Sequence, residues 1–85
     1  MTAADVEDKV RNFIGQNFLY SKSTDALRGT DSFLGKGIVD STGVLELIAF
    51  LETEFSVKVE DEELMPENLD TVDRLVVFVR RKLGA

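Results

Sequence analysis

Apolar residues recur at helical spacing in the first stretch of the chain, over residues 3–19. Three or four residues separate successive members, as on the buried face of an amphipathic helix. They are Val6, Val10, Phe13, Ile14 and Phe18. Thr2 stands just before this stretch and Asp5 three residues later, a capping-box pattern in which each side chain accepts a backbone N–H of the other residue. The pattern predicts a first helix over residues 3–19.

Two further stretches show the same periodicity. The second begins at residue 40 or 41 and runs to about residue 55, and its stripe consists of Val44, Leu47, Ile48, Leu51 and Phe55. The third follows a cap at Asp70 or Thr71 and runs to about residue 83, and its stripe consists of Val72, Leu75, Val76, Val79 and Leu83. Gly84 comes next, a residue type common just beyond a helix end. These stretches predict two more long helices.

The segments between the helices complete the predicted fold. Residues 20–39 form a long connection that we expect to pack onto the core through Leu27, Phe33, Leu34, Ile38 and Val39. A short helix is expected from residue 60 or 61 to residue 65, because Pro66 then interrupts the chain. The prediction is an all-α fold, a small four-helix bundle of three longer helices and one short helix, with a long loop between helices I and II. Its 85 residues are expected to form a single domain over residues 1–85.

The absence of two residue types narrows the chemistry. The chain contains neither cysteine nor histidine. Disulfides, thiolate metal sites and cysteine nucleophiles are therefore excluded, and a Ser-His-Asp triad cannot be assembled. An enzyme becomes the less favoured class. No apolar run approaches the roughly 18 residues of a membrane span, and the N-terminus lacks the basic start and apolar stretch of a signal peptide. We therefore expect a cytoplasmic protein.

Charge is unevenly distributed along the chain. The formal net charge is −6, yet residues 40–70 hold ten acidic residues against the single base Lys58. Residues 71–85 are net positive, with four basic residues against Asp73. An acidic surface repels nucleic acid and anionic membranes and attracts basic protein partners. The expected partners are therefore proteins with basic docking surfaces, and no nucleic acid.

Ser41 stands at the junction between a glycine-bearing loop and the acidic second helix. A serine at a helix start often serves only as an N-cap. At this position, however, it can also be exposed to another enzyme, and the free backbone N–H groups of the first turn favour a bound anion. On a helical wheel a second face lies apart from the core stripe and resembles a docking surface. It holds Ser41, Thr42, Leu45, Glu46, Ala49, Glu52 and Thr53.

This region resembles the acyl carrier protein family. Asp40-Ser41-Thr42 occupies the place of the family's Asp-Ser-Leu signature at the start of helix II. Residues 44–47 and 51–55 are similar to the rest of its helix II, residues 59–64 to its acidic loop and third helix, and residues 68–72 to its entry into helix IV. With the four-helix plan, the resemblance covers nearly the whole chain.

The resemblance implies a carrier function without catalytic residues or a metal. A phosphopantetheinyl transferase would move a 4'-phosphopantetheine arm from coenzyme A onto Ser41, and the arm's thiol would carry acyl groups as thioesters to acyl-loading and acyl-processing enzymes. Asp40 matches the acid before the serine and is assigned with Ser41 to the cofactor site. The family's docking positions fall on Thr42, Leu45, Glu46, Ala49 and Glu52. We expect a monomer.

Two residues depart from the family pattern. Thr42 replaces the usual leucine, and Gly43 stands where the family often has an acid. These changes point to a specialised member rather than the housekeeping fatty-acid carrier. Thr42→Leu together with Gly43→Asp is expected to make the protein a better substrate for a housekeeping transferase or fatty-acid synthase enzyme.

Several alternatives remain open from sequence. The arm could carry an aminoacyl or peptidyl group, or the chain could be an acidic helical adaptor that is never modified. An enzyme using the carboxylates of Glu46 and Glu52 would need a cleft that a small bundle scarcely offers. The acidic run from Glu60 to Glu63 lacks EF-hand spacing and favours at most weak cation binding. Phe50 lies off the main stripe, where it covers an edge of the bundle or meets a partner.

Overall fold

A computed structural model describes residues 2–19 and 27–84 of the chain. Its helices are α1 (Ala3–Asn17), α2 (Ser41–Phe55), the four-residue α3 (Pro66–Leu69) and α4 (Val72–Lys82), and a 3₁₀ turn covers Asp61–Glu63. The described residues contain no strand. The predicted all-α fold with three longer helices and one short helix is confirmed. Part of the predicted long connection, residues 20–26, lies outside the described residues.

Local capping explains where the long helices begin. Thr2 Oγ1 accepts the Asp5 N–H at 3.1 Å, and Asp5 Oδ2 accepts the Thr2 N–H at 3.3 Å, which confirms the predicted capping box. The hydrogen bond from the Thr2 backbone lowers the pKa of the Asp5 carboxyl. Thr71 caps α4 in the same manner, accepting the Arg74 N–H at 3.0 Å. The first helix ends at Asn17, two residues before the predicted end.

The short helix predicted from residue 60 or 61 to residue 65 is present as the 3₁₀ turn Asp61–Glu63. The prediction missed α3, a separate α-helical turn that begins with Pro66. Proline suits the first position of a helix because its fixed φ is already helical and its missing N–H is not needed there. Pro66 therefore opens α3.

One hydrophobic core joins the described elements. Its fully buried side chains come from α1, α2, α4 and the loop before α2, and include Val6, Val10, Ile14, Phe33, Val39, Leu47, Leu51, Val72, Leu75, Phe78 and Val79. Val44, Ile48, Phe13 and Val76 are half-buried around it. The loop from residue 27 to 39 packs down as expected, since Leu27, Phe33 and Val39 are buried.

Two core assignments need correction, and one residue outside the predicted stripe of α4 joins the core. That residue is Phe78, which is only 1% exposed. It lies three residues after Leu75 and therefore on the same side of the helix. Leu83 was expected inside and is 40% exposed, because it follows the last helical residue, where the chain leaves the core. Leu34 was expected as a core anchor and is 49% exposed on a surface turn.

The contacts between α1 and α2 show that the two helices run antiparallel. Lys9 Nζ pairs with Glu54 Oε1 at 2.8 Å, and the rings of Phe13 and Phe50 stack with centroids 4.2 Å apart. At the other end, Phe18 lies against Gly43. Phe50 therefore covers the α1–α2 edge of the bundle. This contact places the end of α1 beside the start of α2.

Candidate functional site

Ser41 is the first residue of α2, and it is exposed. The capping role belongs to the residue before it. Asp40 has extended backbone geometry, and its Oδ1 accepts the Gly43 N–H at 2.7 Å. Because Asp40 satisfies that N–H, Ser41 does not act as the N-cap. The structure therefore brings Asp40 and Ser41 together at one helix start, with separate roles.

Gly43 corrects an expectation drawn from sequence. A side chain was expected to fit there, but residue 43 is buried. A Cβ at this position would lie 2.7 Å from Phe18 Cε1 and 3.2 Å from both Asp40 Oδ1 and Val39 Cγ1. A side chain at residue 43 would therefore force the Phe18 ring to shift where α1 approaches the first turn of α2.

The predicted docking face lies largely in solvent. Thr42, Glu46 and Ala49 are exposed, and Leu45 is 66% exposed in spite of its apolar side chain. Glu52 differs, because it is half-buried and its Oε2 accepts the Val59 N–H at 2.9 Å. Its carboxylate therefore also holds the segment that follows α2, a role that the sequence pattern did not indicate.

An apolar groove of about 180 Å³ lies beside the first two turns of α2. Three segments of the chain line it. Val44 and Leu47 come from α2, Phe33 and Leu34 from the preceding loop, and Leu64 and Met65 from the stretch before α3. Leu34, Leu64 and Met65 stay 49%, 45% and 41% exposed at its rim. Sequence reasoning missed this groove. The only signal available was the apolar Leu64-Met65 pair within an acidic stretch.

A second recess at the start of α2 has the opposite character. Its lining includes the polar side chains of Asn17, Thr42 and Glu46, together with Phe18 and Gly43. The first turn of α2 therefore separates an apolar groove from a polar recess, and Ser41 lies on that turn.

Two other features bear on the open alternatives. Within residues 2–19 and 27–84, no three acidic side chains are grouped so as to hold a metal ion. In the acidic run, Glu63 is engaged by Lys82 Nζ at 2.9 Å and by the Glu60 N–H at 2.9 Å. No helix in the same described part of the chain is long and apolar enough to cross a membrane.

No family model matches the chain. Individual proteins and solved structures that are similar to it nevertheless agree on one family. The chain is 33% identical over 76 residues to the probable acyl carrier protein PigG of Serratia sp., covering 89% of this chain and 86% of that protein. It is 32% identical to the acyl carrier protein of Chlorobium phaeovibrioides, covering 96% of this chain and all of that protein. The solution structure of a holo acyl carrier protein of Nitrosomonas europaea matches with a TM-score of 0.77 at 30% identity, over 94% of this chain and 96% of that one.

Proposed function

The chain belongs to the acyl carrier protein family, and from that premise we propose that Ser41 is the residue that bears its 4'-phosphopantetheine arm. The protein tethers acyl groups as thioesters on such an arm and is a carrier rather than an enzyme. It interacts with a phosphopantetheinyl transferase and with biosynthetic enzymes that load and process its acyl group. We propose in addition that partner enzymes dock on the exposed face of α2.

The exposed Ser41 at the start of α2 is the observation that carries the placement. In the transfer, the Ser41 hydroxyl oxygen attacks the phosphorus of coenzyme A that bears the pantetheine. A P–O bond to Ser41 forms, the P–O bond to the second phosphate breaks, and adenosine 3',5'-bisphosphate leaves. The hydroxyl proton passes to the transferase or to water. The resulting phosphodiester would lie at a helix N-terminus, where backbone N–H groups favour an anion.

Asp40 contributes by fixing the first turn. Its bond to the Gly43 N–H determines where the helix starts and so where Ser41 is presented. The packing of Phe18 on Gly43 holds the same turn from the other side. These two contacts together define the position of the turn that presents Ser41.

The apolar groove supports acyl cargo over an aminoacyl or peptidyl group. It begins at Val44, one helical turn beyond Ser41, so it lies within easy reach of a flexible arm. Burying methylene groups against its leucine and phenylalanine walls is favourable by about 0.8 kcal/mol for each group. A charged aminoacyl group would lose hydration there without gaining a polar partner.

The exposed face of α2 is the proposed docking surface. Leu45 gives it an apolar centre, with Thr42, Glu46 and Ala49 around it. An exposed apolar residue within a more polar rim is typical of a protein interface. Thr42 replaces a larger apolar contact beside the arm, which supports a specialised set of partner enzymes.

Mass spectrometry tests the placement of the arm. The apo protein is incubated with coenzyme A and a broad-specificity transferase, and the wild type is expected to gain one phosphopantetheinyl group. Ser41→Ala should gain none while keeping its helical circular dichroism spectrum. Ser56→Ala is the matched control, since Ser56 is also exposed and stands at the other end of α2. Full labelling of Ser41→Ala would overturn the proposal.

A further inference from the structure

Asp70 ties three consecutive residues of the loop before α2 to the junction between α3 and α4. Its Oδ2 accepts the Ser32 hydroxyl at 2.5 Å, and its Oδ1 accepts the Leu34 N–H at 3.0 Å. Its backbone carbonyl accepts the Phe33 N–H at 2.8 Å. The Ser32 hydroxyl oxygen in turn accepts the Gly35 N–H at 2.9 Å. We call this set of hydrogen bonds the Asp70 clamp.

The clamp acts at the rim of the apolar groove. Leu34 and Phe33 both line that groove, and Asp70 lies at its edge. Phe33 is 1% exposed and is held by the core, whereas Leu34 is 49% exposed. Because half of its side chain is exposed, packing contacts alone fix the position of Leu34 only weakly. Its backbone is fixed by a charge-assisted hydrogen bond, a class stronger than neutral hydrogen bonds.

We propose that Asp70 is a positioning residue that sets the preference of the groove for acyl chains, by holding Leu34 as one of its walls. This inference rests on the proposed function, because the groove has a cargo only if the arm on Ser41 reaches it. Asp70 itself does not react. Its effect passes through the backbone of Leu34 to the shape of the groove.

The proposal implies a difference between long and short cargo. An octanoyl chain is long enough to lie along Leu34, Val44 and Leu47, so it gains apolar contact from a fixed wall. An acetyl group has a single methyl to bury and gains little. Releasing Leu34 should therefore affect the octanoyl thioester and leave the acetyl thioester unchanged.

The test uses the full chain loaded by a broad-specificity transferase from octanoyl-CoA or acetyl-CoA. Hydroxylamine then cleaves the thioester, and the ratio of the acetyl rate to the octanoyl rate measures how well the groove shelters the longer chain. Wild type is expected to give a ratio of roughly several-fold above one. Asp70→Ala and Leu34→Ala should both bring the ratio close to one, through changes in the octanoyl rate. Glu67→Ala, an exposed carboxylate on α3, is the matched control and should keep the wild-type ratio.

Amide hydrogen exchange reports on the clamp itself. Loss of the carboxylate should speed exchange at the Leu34 amide roughly tenfold or more, as expected for a hydrogen bond to a charged group. Ser32→Ala removes one partner of the carboxylate but keeps Asp70, so it should shift the ratio in the same direction by less. If Asp70→Ala fails to fold, Ser32→Ala and Leu34→Ala decide the question.

Each result has a defined consequence. A wild-type ratio of one overturns the inference, and Ser41 labelling shows separately whether the proposed function stands. An unchanged ratio in folded Asp70→Ala also overturns it, even where Leu34 exchange rises. Equal acceleration of both thioesters would assign Asp70 a general structural role and reject the one proposed.

Discussion

The ring of Phe18 lies so close to the backbone of Gly43 that a Cβ at residue 43 would come within 2.7 Å of Phe18 Cε1. The same glycine donates its N–H to Asp40, the cap of α2. One residue therefore joins the end of α1, the cap and the turn that presents Ser41. From sequence, Gly43 looked like a vacant position that an acid could improve. The structure shows instead that any side chain at residue 43 would crowd Phe18.

Gly43→Ala is therefore expected to destabilise the protein. Alanine would gain about 0.5–1 kcal/mol of helix preference over glycine, but overpacking against Phe18 and Val39 is expected to cost about 1–3 kcal/mol. We predict a net loss of about 1 kcal/mol in the free energy of unfolding, and a larger loss for Gly43→Asp. Urea denaturation measures both. In a Phe18→Leu background the alanine should be neutral or stabilising, and a stabilised Gly43→Ala in the wild-type background would contradict the prediction.

The stacked rings of Phe13 and Phe50 are expected to contribute beyond their buried area. Their centroids lie 4.2 Å apart with planes inclined by 12°. A double-mutant cycle with Phe13→Leu, Phe50→Leu and the double variant should give a coupling free energy of about 0.5–1.5 kcal/mol. Chemical denaturation of the four proteins supplies it. Additive effects would mean that the rings contribute burial alone and that the α1–α2 edge does not depend on their geometry.

Ser56 ends α2 in a left-handed conformation, with φ 55° and ψ 42°. This geometry costs an L-residue about 1–2 kcal/mol, and glycine adopts it freely. Because Ser56 is exposed, Ser56→Gly should raise the free energy of unfolding by about 1 kcal/mol. Ser56→Val should lower it, since a β-branched residue disfavours positive φ. The urea midpoints of the two variants should move in opposite directions, and parallel movement would refute the assignment of strain to this residue.

Glu63 should make stability depend on acid pH. The hydrogen bond from the Glu60 N–H, followed by that from Lys82, holds the pKa of the Glu63 carboxyl below its usual 4.5. The folded state therefore favours the charged form of Glu63. Its contribution to the free energy of unfolding is present above about pH 4.5 and is lost as the pH falls through the lowered pKa. The stability difference between wild type and Glu63→Gln should shrink over that range. A stability difference that stays constant as the pH falls through this range would contradict the prediction.

The proposed docking face predicts a salt-dependent encounter. Glu46→Lys should slow phosphopantetheinylation of Ser41 several-fold at low salt, because long-range attraction to a basic transferase becomes repulsion. Added NaCl should slow the wild type and narrow the gap to the variant. Glu60→Lys makes the same charge change at an exposed residue outside the face and should have a smaller effect. If the two charge reversals slow the reaction equally, the net charge of the protein and not this face determines the rate of phosphopantetheinylation.

The sequence by itself determined the features that depend on near neighbours. The caps of α1 and α4 join residues three apart, and the long helices are predicted from spacings of three and four residues. Such interactions form within a single turn, so their pattern is visible in the chain. The Asp40-Ser41 pair is also local, which is why the proposed attachment site could be named before the fold was known.

Only the tertiary structure decided the features that join distant segments. Phe18 crowds any side chain at residue 43 because α1 packs onto the start of α2, and Asp70 holds Leu34 across a separation of 36 residues. The apolar groove forms where the loop before α2, α2 itself and the stretch before α3 meet. Close packing in three dimensions sets these contacts, and neither spacing nor residue preference encodes which distant side chains meet. The proposed attachment site, Ser41, could therefore be predicted from sequence, whereas the apolar groove beside it depends on tertiary packing.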